Sequence, residues 1–242
     1  MNKIYREQFQ ISTIHLDRFG RMKNSMILYF AQEVATNHCK ILGCDWDAMA
    51  AKGLFWAVIR HRIHIERLPR DGETITIETW PMPTTRTCYP RSMVAFDAQG
   101  NELFKVHSLW VLMDVNTRAM VLPGKSGVDV DGVLRGTELP APPSMPPKEG
   151  ENRVLRTVSF SDLDRNGHMN NVKYLDWVAD LLPSDYHREN TPKDICLCYL
   201  NEAREGTQLS LNWTRTADNV LQVEVTQAEQ NKRIFAASVS CE

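Results

Sequence analysis

The 242-residue chain has no long apolar run. Its clearest apolar stretches, Phe55 to Ile59 and Leu109 to Met113, fall far short of the ~20 residues that a membrane-spanning helix needs. No membrane span is expected. The first ten residues, MNKIYREQFQ, lack an apolar core of signal-peptide length and already alternate like a strand. Charge of one sign is also missing: 28 Lys and Arg stand against 30 Asp and Glu, for a net charge of −2. Without a bulk positive field, nucleic acid is not expected as a partner, and an acidic partner needs a local basic patch. Only six cysteines occur, at 39, 44, 88, 196, 198 and 241. They form no CxxC pair and have neither zinc-site nor disulfide-framework spacing, so free thiols of a reducing cytosol and no metal are expected. There is no G-x-S-x-G nucleophile elbow and no GxGxxG. Gly124-Lys125-Ser126 resembles the end of a phosphate loop, but Ala119 stands where the leading glycine belongs. Nucleotide-driven and serine-hydrolase chemistry are thereby set aside, and no cofactor is expected.

What is present is an ordinary globular balance, 43% hydrophobic and 24% charged, at a length that suits one domain or two. Proline is concentrated. Six of the 12 prolines lie in PGKSGVDVDGVLRGTELPAPPSMPPKEG, residues 123–150. Proline lacks an amide donor and resists helix and central strand, so this segment reads as a semi-rigid linker. It divides the chain into units 1–122 and 151–242.

The two units resemble each other. LDRFGRMKNSMIL (Leu16 to Leu28) aligns with LDRNGHMNNVKYL (Leu163 to Leu175) at a constant offset of 147. LPRDGETITIE (Leu68 to Glu78) aligns with EAREGTQLSLN (Glu202 to Asn212) at an offset of 134. The smaller second offset places an insertion in the first copy. Two copies are too few for a solenoid, so a duplicated domain is the better account.

Each copy has the same grammar. A short strand (near Phe9 to Ile14, and Val154 to Phe160) leads into a turn rich in Asp, Gly and Asn. One long helix follows, starting near Asn24 or Ser25 and near Asn171, whose side chains can cap it. Alternating strands come next: 63–65, 74–80, 92–98 and 103–113, then 195–200, 208–214, 221–227 and 233–241. The fold class is α+β, with each antiparallel sheet able to wrap a helix.

The richest stretch for chemistry is SDLDRNGHMNNVKYLDW, Ser161 to Trp177. It places Asp164, Asn166 and His168 in the loop before a helix N-terminus. Free amides there favour developing negative charge, and imidazole is suited to base work near neutral pH. Turn chemistry alone also explains Asp, Asn and Gly. The first copy serves as a control. Both copies keep the Asp (Asp17, Asp164), the Gly (Gly20, Gly167), the Met (Met22, Met169) and the Asn (Asn24, Asn171), as the fold requires. Only the second has Asn166 and His168, where the first has Phe19 and Arg21. Asp164 is therefore at least partly a turn residue. The same comparison picks out Glu202, which faces Leu68. The other histidines have no partner at ligand spacing, and the six tryptophans read as core.

DLDRNGHMNNVKYLDW closely resembles the signature of the acyl-ACP thioesterases, Asp-x-Asn-x-His followed by Asn-Asn-x-x-Tyr. It is matched by Asp164, Asn166, His168, Asn170, Asn171 and Tyr174. The first unit is similar as well, in DRFGRMKNSMILYFAQEVA and LWVLMDVNTRAMVLP. The resemblance implies a double hotdog fold. It implies hydrolysis of acyl-[acyl-carrier-protein] to free fatty acid in fatty acid biosynthesis, with acyl carrier protein as the partner. Asp164, Asn166, His168 and Glu202 become the candidate catalytic set. Plant members carry Glu-Cys where this chain has Glu202-Ala203; with no thiol at 203, water must be the nucleophile. Helix amides near Asn170 and Asn171 are candidate oxyanion donors. A bacterial, cytoplasmic member is expected. An acyl-CoA thioesterase and a non-catalytic acyl-thioester sensor are the alternatives. Chain-length preference, with Met22, Met49, Trp56 and Met93 as candidate pocket residues, stays open, as does oligomeric state, homodimer included.

Overall fold

A computed structural model describes residues 3–242. They form two compact units. The first runs to Lys23 and again over Tyr29–Pro142; the second comprises Asn24–Leu28 and Pro143–Glu242. The division thus falls inside the Pro-rich segment, and the first turn of one helix groups with the second unit.

The first unit contains β1 (Tyr5–Gln10), α1 (Asn24–Leu42, from residue 29), α2 (Trp46–Ala50), β2 (Leu54–Ile65), β3 (Thr74–Pro81), β4 (Tyr89–Phe96), β5 (Glu102–Asp114), β6 (Met120–Val121) and α3 (Pro123–Ser126). Its antiparallel strand order is β1-β3-β4-β5-β2, with β6 on β5. Helix α1 lies against this sheet. Phe30 meets Phe9 of β1 with ring centroids 4.8 Å apart, and His38 stacks on Tyr5 at 5.7 Å. Ile75, Ile77 and Trp80 of β3 and Phe104 of β5 are fully buried; Ile75 and Ile77 share one face of β3 and Trp80 lies on the other, so this strand is covered on both sides.

The second unit contains β7 (Asn152–Thr157), α4 (Asn171–Ala179), α5 (Ser184–Glu189), β8 (Pro192–Tyr199), β9 (Gln208–Arg215), β10 (Val220–Gln227) and β11 (Arg233–Cys241). Its strand order, β7-β9-β10-β11-β8, repeats that of the first unit strand for strand. Tyr174 of α4 stacks on Phe235 of β11 at 4.7 Å, and Tyr199 of β8 completes the trio.

Several expectations are corrected. The opening strands end earlier than the alternation suggested. Thr13–His15 and Phe160–Asp162 are 3-10 turns, because Ser12 and Ser159 form capping boxes that turn the chain. The second helix is not long: α4 has nine residues against 19 in α1, and Leu182 lies beyond it. This difference, with 12 residues in β2 against eight in β8, accounts for the insertion in the first copy. Nor do the expected asparagines cap the helices. Lys23 is the N-cap of α1 and makes no side-chain cap bond, whereas Asn170, not Asn171, caps α4 by accepting from the Val172 amide at 3.0 Å.

The Pro-rich segment is strapped down. In the first unit, Tyr89 Oη reaches Ser126 Oγ (2.7 Å) and donates to Val128 O (3.2 Å), and the Trp80 indole donates to Glu138 at 3.1 Å. In the second, Arg233 donates to Met145 O at 3.0 Å and Lys148 to Gln222 at 2.7 Å. Two glycines permit this close approach. A Cβ on Gly132 would lie 2.2 Å from the Met82 backbone, and one on Gly150 would lie 2.3 Å from the Trp213 amide nitrogen. The prolines suit such a path because they carry no amide needing a partner.

Candidate active site

Residues 163–169 form a tight loop entering α4. Asp164 organises it. Its Oδ1 accepts from the amides of Asn166 (2.8 Å) and His168 (3.2 Å), and its Oδ2 accepts from Asn166 Nδ2 at 3.3 Å. The backbone closes the loop through Asp164 N to His168 O (2.8 Å) and Gly167 N to Asp164 O (3.0 Å). Gly167 sits at φ 74°, a left-handed conformation that L side chains rarely adopt.

The first unit builds the same loop. Asp17 Oδ1 accepts from the amides of Phe19 (2.8 Å) and Arg21 (3.0 Å), Asp17 N donates to Arg21 O (2.7 Å), and Gly20 sits at φ 71°. The shared Asp and Gly therefore make the turn. What differs is the cargo. The first loop spends its second carboxylate oxygen on Arg21 Nε at 3.3 Å, and the second offers it to Asn166.

The loop is then tied to the connection after β8. Met169 N donates to Ala203 O at 2.8 Å, and His168 and Arg204 form a backbone bridge. This ladder carries Glu202 to the imidazole: Glu202 Oε2 stands 3.1 Å from His168 Nε2. The His168 side chain is 12% exposed and that of Glu202 43%, so the imidazole is sheltered while the carboxylate reaches water. In the first unit Met22 N bonds Pro69 O in the same way, but the residue at Glu202's place is buried Leu68.

The structure thus brings Asp164, Asn166, His168 and Glu202 into one constellation. Ala203 is buried at 2% exposure and offers only its carbonyl to the loop. The oxyanion expectation narrows. The Asn170 amide is taken by Asp162 O (2.8 Å), that of Val172 by the Asn170 side chain, and that of Lys173 by Asn170 O (2.9 Å). Among the described residues the Asn171 amide, at the first helical position, is the one in this turn left without an acceptor.

Beneath the site lies an aromatic base that the sequence did not single out as a unit: Tyr174, Tyr199 and Phe235. Tyr199 Oη donates to Asn171 O at 3.3 Å, fixing the start of α4. Burial first, and the nearby Glu202 carboxylate second, push the Tyr174 phenol upward. Burial does the same to Tyr199. Both rings stay neutral as a packed support. Among the described residues no group of three or more His, Cys, Asp or Glu is placed to hold a metal ion, and no helix is long and apolar enough to cross a membrane. Of the candidate pocket residues, Met22, Met49 and Met93 are buried. Met49 shares a core cluster with Trp56, whose indole donates to Cys44 O at 2.8 Å.

Comparison with known proteins identifies the family. Residues 2–122 match the family model of the acyl-ACP thioesterase N-terminal domain, and residues 146–239 that of the C-terminal domain. A palmitoyl-acyl carrier protein thioesterase of Cuphea hookeriana, chloroplastic, is 26% identical over 232 residues, covering 88% of this chain and 54% of that protein. The chain thus spans about half the length of the curated relatives it matches. Among solved structures, an acyl-ACP thioesterase from Bacteroides thetaiotaomicron superposes with a TM-score of 0.85 at 24% identity, covering 100% of this chain and 98% of that one. The 12:0-ACP thioesterase from Umbellularia californica gives 0.85 at 22% identity, covering 100% and 98%. At these identities the structures establish the fold, α+β hotdog units of helix and antiparallel sheet. With a family model on each unit, this chain belongs to the acyl-ACP thioesterase family.

Proposed function

We propose that this chain hydrolyses the thioester of an acyl-[acyl-carrier-protein], releasing free fatty acid and carrier in fatty acid biosynthesis, with water as the nucleophile. The observation that carries the reading is the 3.1 Å contact of His168 Nε2 with Glu202 Oε2, present in only one of two otherwise matching loops. A water beside the imidazole gives it a proton as it attacks the thioester carbonyl. Glu202 stabilises the imidazolium that forms and orients the ring. General base catalysis of this kind is worth about 10²- to 10⁴-fold. Asn166, exposed and tethered to Asp164, positions the thioester. Asp164 holds the loop in shape. The Asn171 amide, at the positive end of α4, stabilises the developing oxyanion. The collapsing intermediate expels the carrier's thiol, which recovers the proton from His168.

Ala203 supports water over a thiol. The buried methyl can form no bond to an acyl group, so no acyl-enzyme forms at 203. His168→Ala, assayed on acyl-ACP with the fold checked by circular dichroism, is expected to lower kcat at least 100-fold. Turnover within a few-fold of wild type would remove His168 from the mechanism. Matched acyl-ACP and acyl-CoA of one chain length decide the thioester carrier. The proposal expects the higher kcat/KM on the carrier protein, and a preference for CoA would make the chain an acyl-CoA thioesterase.

A further inference from the structure

The C-terminus of α1 places two cysteines side by side. Gly43 adopts φ 70°. Its amide donates to Lys40 O at 3.4 Å, and the Cys44 amide donates to Cys39 O at 3.0 Å. This is the Schellman pattern, in which the residue after the glycine meets a side chain of the last helical turn. Here the two are Cys44 and Cys39, and Cys39 packs against the buried cluster that contains Cys44. A five-residue spacing that signifies nothing as a motif becomes a pair because the left-handed glycine reverses the chain.

A third group distinguishes this pair from ordinary core cysteines. Arg91 of β4 is buried. Its Nη1 stands 3.2 Å from His38 Nδ1 and donates to Thr79 Oγ1 at 3.3 Å, and its Nη2 reaches Cys39 Sγ at 3.8 Å. None of these contacts is a carboxylate, and a buried cation without a counter-charge is costly. The thiol of Cys39 can supply that charge. The groups facing it are Cys44 and His38 from the end of α1, Arg91 from the sheet and Asp45 at the start of α2. The neighbouring Cys44 thiol first, and the Arg91 charge against the opposing burial, hold the Cys39 thiol below its usual range. Cys44 is pushed up. Cys39 is also partly exposed, whereas Cys44 is buried. One thiol is therefore activated beside a cation and the other is held as the thiol next to it, the pairing of an attacking and a resolving cysteine.

We propose that Cys39 and Cys44 are a redox-active dithiol, which a small hydroperoxide oxidises to an intrachain disulfide with Arg91 holding the attacking thiolate. The Cys39 thiolate attacks a peroxide oxygen, the O–O bond breaks, and hydroxide or alkoxide leaves. Cys39 becomes a sulfenic acid, a two-electron oxidation matched by reduction of the peroxide. The Cys44 sulfur then attacks the sulfenic sulfur, the S–O bond breaks, and the hydroxide leaves as water with the Cys44 proton. A reducing dithiol reverses the bond by exchange.

The test treats the reduced full chain with hydrogen peroxide, blocks remaining thiols with iodoacetamide, and reads intact mass and tryptic peptides. The chain is expected to carry two carbamidomethyl groups fewer than the untreated control and to have lost two hydrogens, with peptides on either side of Lys40 linked through Cys39 and Cys44 and separated again by dithiothreitol. Cys44→Ala should stop at a Cys39 sulfenic acid that dimedone captures. Arg91→Gln should slow Cys39 oxidation at pH 7 at least fivefold. If that variant does not fold, the pH-rate profile of Cys39 alkylation in the wild-type chain replaces it, with a midpoint expected below the ~8.5 of a free thiol. The proposal is overturned if Cys39 and Cys44 stay reduced under peroxide that oxidises Cys241. It also fails if the linked pair is Cys196 with Cys198, or if Cys39 titrates at or above the free-thiol value.

Discussion

Asp164 offers a sharp test, because the chain contains its own control. Replacing Asp164 with Ala removes an oxygen that accepts two backbone amides, at 2.8 and 3.2 Å. Asp17→Ala removes its counterpart, at 2.8 and 3.0 Å. A hydrogen bond to a charged acceptor contributes about 1.5–3 kcal/mol. Both aspartates are partly exposed, so the pair of bonds together is worth about 2 kcal/mol in either loop. For a chain of this size that is a fall of about 4–8 °C in Tm. The two variants should therefore lose similar stability in a thermal melt. Activity should separate them. Asp164→Ala frees the His168 backbone, and misplacing a catalytic group by about 1 Å costs on the order of 10²-fold. Asp17→Ala should leave kcat on acyl-ACP within a few-fold of wild type, because the proposed mechanism gives Arg21 and Leu68 no chemical step. Asp164→Asn decides the cause. Asn keeps the Oδ1 acceptor, so it should recover most of the Tm and hold kcat within about tenfold of wild type. If Asp164→Asn restores Tm yet is as slow as Asp164→Ala, the carboxylate itself takes part in the reaction and its assignment to loop shape is wrong.

The other expectations are simpler. Glu202→Gln should lower kcat about tenfold or more, since an amide keeps the shape beside His168 but not the charge that stabilises an imidazolium; an unchanged kcat would make the 3.1 Å contact incidental. Ala203→Cys should yield no gain in rate and no covalent acyl-enzyme by mass spectrometry, and a trapped thioester at 203 would show that the site can run through a thiol. A single turnover in ¹⁸O-water should place the label in the fatty acid, whereas label retained in Asp164 would mark a covalent carboxylate route. Leu68→Ala should destabilise by about 2–5 kcal/mol as a buried large-to-small change and spare kcat, a split read from denaturant unfolding and turnover.

How much of this was legible in the chain follows from the range of each interaction. Alternation and helical spacing are local, and they placed β9, β11 and the starts of both helices closely. They failed where a local competitor acted. Capping serines turned the chain at Thr13 and Phe160 before the apolar pattern ran out, and α4 stopped at Ala179 although apolar spacing continued to Leu182. The Pro-rich stretch was visible as an irregular segment. Its docking through Tyr89, Trp80, Gly132 and Gly150 was not, because each partner lies tens of residues away.

The sequence by itself determined the duplication, the turn-forming role of Asp17 and Asp164, and the candidates Asn166, His168 and Glu202. These rest on comparing two copies of one pattern, and turn chemistry is written within five residues. Only the tertiary structure decided that Glu202 reaches His168, because the bond of Met169 to Ala203 joins segments more than thirty residues apart. Only it left the Asn171 amide as the one in that turn without an acceptor, since hydrogen-bond satisfaction depends on every neighbour at once. It also joined Cys39, Cys44 and Arg91, two helix-end thiols and a cation from a distant strand, through a left-handed glycine and the packing of α1 on its sheet.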